Sequence, residues 1–222
     1  MIRCRQISYR YPGSAFDLAI DAFHVEASES VALAGPSGCG KTTLLNLIAG
    51  HLVPESGEIE TAGKFLHQMS LNGRQSFRLQ KVGQVPQGFD LLDYLSVFDN
   101  ILLPIRLDSS RPLDEGAKKR CGELAERAGI ADHLERYPDQ LSTGERQRAA
   151  VCRGLIGRPR LILADEPTGN LDPENQDRIV SLLLDEAERI DASVLMITHE
   201  PSLFSRFDRV VNLLELRKEA TR

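Results

Sequence analysis

Residues 35–43 read GPSGCGKTT. Gly35, Gly38 and Gly40 are interleaved with the small residues Pro36, Ser37 and Cys39, and Lys41, Thr42 and Thr43 follow. The spacing fits GxxxxGK(S/T). Glycines let backbone N–H groups close around a β-phosphate, the lysine ammonium neutralises β- and γ-oxygens, and the Thr42 hydroxyl can ligate Mg²⁺. Asp165 and Glu166 lie far downstream, at the end of the apolar run LILADE. Ligands of α/β sheets gather at the C-terminal ends of such strands. Asp165 there would hold Mg²⁺ through the metal's water shell, and Glu166 could orient and polarise an attacking water. These residues point to a P-loop nucleotide hydrolase, a class that also contains kinases, GTPases and motor ATPases.

A second stretch has the form of an anion-binding helix start: LSTGERQRAAVCRGLIG, residues 141–157. The first amides of a helix lack intrahelical partners, and its dipole is positive there. Ser142 with Glu145 also forms S-x-x-E, a capping box that does no more than start a helix. The residues alone leave both readings open.

The elements that must hold these residues follow from pattern. Residues 1–30 alternate apolar and polar in short runs, as antiparallel strands do, with a turn at Pro12-Gly13. SVALA, KVGQVP, RLILADEP and SVLMITHE read as strands, three of them without alternation, and KTTLLNLIAGHL reads as a helix after the Gly-rich loop. PESGEIETAG supplies a further turn and strand. Residues 89–157 are expected to be mostly helical; in DEGAKKRCGELAERAGI, Ala117, Cys121, Leu124 and Ala128 share a face with Leu113, and Gly129 is the stop. DPENQDRIVSLLLDEAERI is a helix capped by Asp172 with Pro173 in its first turn. Strands lacking alternation and separated by helices predict a parallel sheet covered on both faces.

The 222 residues suffice for one large domain or two joined lobes. A net charge of −5 offers no footprint for nucleic acid. No apolar run is long enough to span a bilayer, and the N-terminus shows no signal-peptide core. Cys4, Cys39, Cys121 and Cys152 lie far apart, as reduced thiols of a cytosolic protein would.

With GPSGCGKTT at 35–43, LSTGERQR at 141–148 and LILADEPTGNLD at 161–172, the chain resembles the nucleotide-binding subunits of ABC transporters over nearly its whole length. Thr143 stands where that family carries the first glycine of LSGGQ or LSGGE; Ser142 and Gly144 are kept. The resemblance implies an α/β P-loop fold of the RecA-like type, with a mainly parallel core, an antiparallel β lobe and an inserted helical lobe. Residues 1–87 and 153–222 would form the core and 88–152 the helical part. It implies ATP and Mg²⁺ as ligands and a head-to-tail dimer, homo- or heterodimeric. Each ATP would lie between the Walker A loop of one chain and Ser142 and Gly144 of the other, which accounts for two anion cradles in one chain. It further implies adenine stacking by Tyr11 (Tyr9 being the alternative) and a Q-loop role for Gln87 toward Mg²⁺ and the attacking water. Asp172 would lie at the subunit interface and His199 near the γ-phosphate. The partner would be a transmembrane permease whose coupling helix enters a groove behind Gln87, placing the chain on the cytoplasmic face of the inner membrane. LADEPTGNLD with FDLLDYLSVFDNILLP looks most like the subfamily of lipoprotein release, macrolide efflux and cell division, of export or mechanical-work type. A soluble ABC ATPase of DNA repair or translation fits less well, since those usually carry coiled-coil insertions, zinc modules or two ATPase units. A non-hydrolysing scaffold would not need Glu166 and His199.

Overall fold

The structure, a computed structural model, describes residues 1–169 and 171–217. In chain order the main elements are β1 (Ile2–Arg10), β2 (Asp17–Val25), β3 (Ser30–Ala34), α1 (Lys41–Ile48), β4 (Ser56–Thr61), β5 (Lys64–Phe65), α2 (Leu71–Lys81) and β6 (Val82–Val85). They continue with α3 (Val97–Leu107), α4 (Glu115–Arg127), α5 (Thr143–Leu155), β7 (Leu161–Asp165), α6 (Pro173–Arg189), β8 (Ser193–Ile197), β9 (Arg209–Asn212) and α7 (Leu213–Leu216).

Two sheets result. The antiparallel one runs β2-β1-β4-β5 and the other β6-β7-β8-β3-β9, with every pairing in the second parallel. In the antiparallel sheet the buried set changes phase partway along, from Ile2 and Cys4 to Ile7 and Tyr9, and on the neighbour from Leu18 and Ile20 to Phe23 and Val25. Gln6, at φ 48°, makes that step, and the register against β4 slips between Arg5 and Ser8. The irregularity keeps one apolar face on the core through a strand whose sequence shifts by one residue. Gly57 permits it, because a Cβ there would lie 2.2 Å from the Gln6 carbonyl oxygen.

The parallel sheet is buried on both faces, as its apolar runs require. Ala32, Ile162, Ala164, Val194 and Met196 face a core built with α3, α4, α5 and α6. Their neighbours Val31, Leu33, Leu161, Leu163, Leu195 and Ile197 face α1 and the antiparallel sheet. Ser96, Asp114, Ser142 and Asp172 cap α3, α4, α5 and α6, each side chain accepting a backbone N–H three residues on. Glu186 of α6 is fully buried and paired with Arg120, Arg127 and Arg189, which ties α4 to α6.

The sequence expectations are met in part and corrected in part. Residues 89–157 are mostly helical, as expected, with three α-helices and short 3-10 turns sharing the run with loops. Pro112, Gly129 at φ 66° and Pro138 break it. Helix α1 ends at Ile48, because Gly50 turns the chain at φ 72°. Helix α2 and strand β9 were not legible: α2 buries only Phe77, and β9 is a four-residue edge strand. Helix α5 runs from Thr143 to Leu155.

Candidate active site

The loop between β3 and α1 passes through Gly35 (φ 147°), Gly38 (φ 75°) and Gly40 (φ 109°), all conformations that favour glycine. Space requires it too. A Cβ on Gly35 would lie 2.9 Å from Cys39 Sγ, and one on Gly40 2.9 Å from Leu18 Cδ1. Cys39 is thus a buried spacer under the loop, while Pro36, Ser37 and Gly38 form its exposed tip. Gly40 caps α1 with no side-chain bond, so the amides of the first turn point out of the helix without side-chain acceptors. Lys41 is buried, and its Nζ donates to the carbonyls of Gly35 (2.8 Å) and Pro36 (3.0 Å).

Asp165 closes β7, flanked by β6 and β8, and its carboxylate accepts from the Thr42 hydroxyl. Burial pushes the Asp165 carboxyl above the usual range and the Glu166 charge adds to this, while Thr42 and Lys41 pull it back. A carboxylate so placed gains from a cation beside it. Glu166 has φ 45°, a costly conformation for a residue with a Cβ, and it is over-determined: its N–H donates to Ile197 O (3.1 Å) and its O accepts from Gly169 N (3.0 Å). That turn presents the carboxylate to two other predicted residues. Gln87 Nε2 donates to Glu166 Oε2 at 3.3 Å, and His199 Nδ1 lies 3.6 Å from Oε1. The fold therefore brings Gln87, Glu166 and His199 together, with His199 largely exposed.

Tyr11 follows β1 and its hydroxyl lies 3.3 Å from Thr43 Oγ1. Its ring stands edge-on to Tyr9 (5.0 Å) and tilts against Phe16 (6.2 Å). Tyr9 is buried while Tyr11 is half-buried, so Tyr11 has the more open ring. Phe16, which also abuts the Gly40 position at 3.0 Å, was missed by sequence reasoning; only its place after the Pro12-Gly13 turn hinted at it. Replacing Tyr11 with Ala is expected to weaken ATP and ADP binding alike by about 1–3 kcal/mol, the worth of one base–aromatic stack. Titration with a fluorescent nucleotide measures it; a loss in Tyr9→Ala with Tyr11→Ala unchanged would move the stack to Tyr9.

Ser142 and Gly144 make no contact with this loop: the side-chain and N–H bonds of Ser142 go to Glu145, and a Cβ on Gly144 would meet only Arg148 and Leu171 among the described residues. The Ser142 side chain accepts from Glu145 N (3.3 Å) and donates to Glu145 Oε2 (2.8 Å), while Ser142 N donates to the same oxygen (2.7 Å). The capping box is thus fully formed, and these bonds with His133 beside it hold the Glu145 carboxyl below its ordinary range. Asp172 caps α6 through Asn175 N (3.0 Å), and Asn175 Oδ1 accepts from Arg148 of α5 (3.2 Å), so the starts of α5 and α6 sit side by side. A cavity of about 540 Å³ opens beside Pro86, lined also by Thr42, His51, Gln84, Leu103, Arg153 and Asp165.

A glycine loop with a buried lysine, beside an acid pair at the end of a parallel strand, defines a P-loop nucleotide-binding protein. The ABC transporter sequence family matches residues 18–169. An uncharacterised ABC transporter ATP-binding protein of Mycobacterium tuberculosis is 42% identical over 191 residues, covering 86% of this chain and 76% of that protein. The lipoprotein-releasing system ATP-binding protein LolD of Pseudomonas fluorescens is 35% identical over 97% of this chain and 95% of its own. The dimeric ATP-binding cassette MJ0796, in a post-hydrolysis state bound to ADP and Pi, superposes with a TM-score of 0.87 at 27% identity, covering 96% of this chain and 94% of that one. CbiO1 of Clostridium perfringens, part of the ABC transporter complex CbiONQ, superposes with a TM-score of 0.83 at 26% identity over 95% and 83% of the two chains. The chain belongs to the ABC transporter ATP-binding family.

Proposed function

We propose that the chain hydrolyses ATP as a head-to-tail dimer and thereby powers a membrane permease, in work of the lipoprotein-release or efflux kind. The observation that carries the dimer is the separation of two anion cradles. Lys41, Thr42, Asp165 and Glu166 gather at one place, while the side-chain bonds of Ser142 stay within the start of α5. A helix start without a lysine or an acid pair of its own completes a site only on another chain. The dimeric form of MJ0796 and its ADP and Pi support the same reading.

In this reading the P-loop amides and Lys41 hold the β- and γ-phosphates, Tyr11 supports the base, and Glu166 takes a proton from the attacking water. Gln87 and His199, both against the Glu166 carboxylate, orient that water and the γ-phosphate. The residues fit a divalent cation: the Thr42 hydroxyl and the Asp165 carboxylate meet in a half-buried place where a carboxylate alone is disfavoured, and Gln87 is the third candidate ligand. Mg²⁺, when bound, would neutralise charge on the phosphate oxygens. Asp172 lies beside the start of α5 and would face the partner chain. No helix among the described residues is long and apolar enough to cross a membrane, so attachment to the cytoplasmic face of a membrane would run through the permease. The cavity beside Pro86, at the junction of the 88–152 helical lobe with the remaining core, is the natural seat for the permease's coupling helix.

Ser142→Arg and Gly144→Asp test the second cradle. Gly144→Asp is the cleaner: it keeps the Ser142 cap and puts an acid in the first turn, where the helix dipole favours it. Its Cβ has room, meeting nothing nearer than Arg148 Nη1 at 3.4 Å. Monomer nucleotide affinity and melting temperature should hold, while hydrolysis falls by roughly a hundredfold or more. Ser142→Arg should also lose a cap worth about 0.5–2 kcal/mol. Activity that merely tracks the folded fraction in both variants would reduce Ser142 to a helix cap.

A further inference from the structure

The loop after Gln87 is held in a conformation it would not choose. Phe89 has φ 63° and Asp90 φ 51°, two consecutive residues with side chains in the left-handed region. Such backbone persists only where its surroundings impose it. A local bond from Asp90 N to the Gly88 carbonyl (2.7 Å) closes the turn at Phe89, and Arg153, near the end of α5, holds it from outside: its Nη1 donates to the carbonyl of Asp90 and its Nη2 to that of Phe89, each at 2.5 Å. A guanidinium presents two donors in a fixed fork, so one side chain fixes two successive peptide planes. The far end of the loop is pinned separately. Buried Asn100 of α3 accepts from Leu92 N (2.8 Å) and donates to the carbonyls of Leu92 and Leu95 (both 3.0 Å). Gln87, which touches Glu166, is only two residues from Phe89.

We propose that Arg153 is a positioning residue for hydrolysis: it clamps the Phe89–Asp90 backbone and so sets Gln87 against Glu166. The clamp sits on the same helix that begins at Ser142, so a displacement of that start is carried along α5 to the loop behind Gln87. Arg153 and Asp90 also line the 540 Å³ cavity, so an occupant of the cavity would act on the clamp directly. The proposal rests on the hydrolytic roles given above to Glu166 and Gln87.

The test is a double-mutant cycle on the full chain with MgATP, measuring kcat, KM and melting temperature. Arg153→Met keeps the apolar stem and removes the fork; Arg153→Lys keeps stem and charge but cannot span both carbonyls. Either should lower kcat roughly ten- to hundredfold with KM little changed, as misplacement of a catalytic contact does. In a Gln87→Ala background the same substitution should add almost nothing, because the two residues act in series. A purely structural arginine would instead give losses that multiply, with a matching fall in melting temperature. Losses that multiply, or an unchanged kcat in whichever Arg153 variant melts like the parent, overturn the clamp. Glu166→Gln is run alongside: full turnover there would overturn the hydrolytic reading itself, whereas loss of turnover there with an indifferent Arg153 overturns the clamp alone.

Discussion

Replacing Glu166 with Gln will stall hydrolysis and convert a transient ATP-dependent dimer into a lasting one. The amide keeps the size of the carboxylate and can still meet Gln87 and His199, which lie 3.3 and 3.6 Å from its two oxygens. It cannot take a proton from water, so binding and closure proceed while cleavage stops. Removing one negative charge beside the γ-phosphate also eases closure electrostatically. Loss of such a base commonly costs about 10²–10⁴ in rate. Gel filtration of the variant with ATP, with ADP and without nucleotide reads the result. A shift to twice the monomer mass with ATP only is expected. A monomer throughout, with ATP demonstrably bound, would point to closure on a different ATPase subunit or on the permease. Failure to close with the permease present as well would sink the dimer mechanism.

The second large effect is expected at Lys41. Its side chain is buried, its charge acts on the Asp165 carboxyl, and its Nζ spends its hydrogen bonds on the carbonyls of Gly35 and Pro36. A buried ammonium held by two carbonyls is the one strong positive group of the loop. Lys41→Ala should remove measurable phosphate release and weaken ATP binding, because β- and γ-oxygen charge then goes unopposed in a site shielded from water. A single preorganised donor lost from such a site typically costs about 10²–10³ in kcat, and here a full charge goes with it. The cavity left by the side chain would also free Gly35 and Pro36, so melting temperature and ADP affinity are measured together with turnover. ATPase activity within about twofold of the parent would remove Lys41 from the mechanism.

The parts legible from sequence share one property: they are settled by sterics and hydrogen bonding within a few residues. The loop at 35–43 is one, because Gly35, Gly38 and Gly40 all take positive φ and no other residue type does so at little cost. The caps at Ser142 and Asp172 are others, each closed by a backbone N–H three residues away. The strand before Asp165 was legible because a fully buried parallel strand must be apolar without alternation. The expected α/β architecture followed from the same patterns, and the length of α1 was overdrawn, where Gly50 intervenes.

Tertiary structure alone decided which residues meet. Gln87 and Glu166 are separated by 79 positions, and Phe89 and Arg153 by 64. The sheet order β6-β7-β8-β3-β9 sets the C-terminal ends of the strands before Gln87, Glu166, His199 and the P-loop along one edge. No periodicity encodes that order, since β3, β7 and β8 are alike in being apolar runs and nothing within a run names its neighbours. Helix α2 was invisible for a related reason: eleven residues burying only Phe77 carry no helical stripe, and what holds them is the surface they pack on. The phase slip at Gln6 and the left-handed turns at Phe89, Asp90 and Glu166 are likewise settled partly from outside. Backbone sterics disfavour each of them; Gly57 leaves room for the first, and the others are held by local bonds (Asp90 N to Gly88 O, Gly169 N to Glu166 O) together with Arg153 and the Ile197 carbonyl from distant parts of the chain.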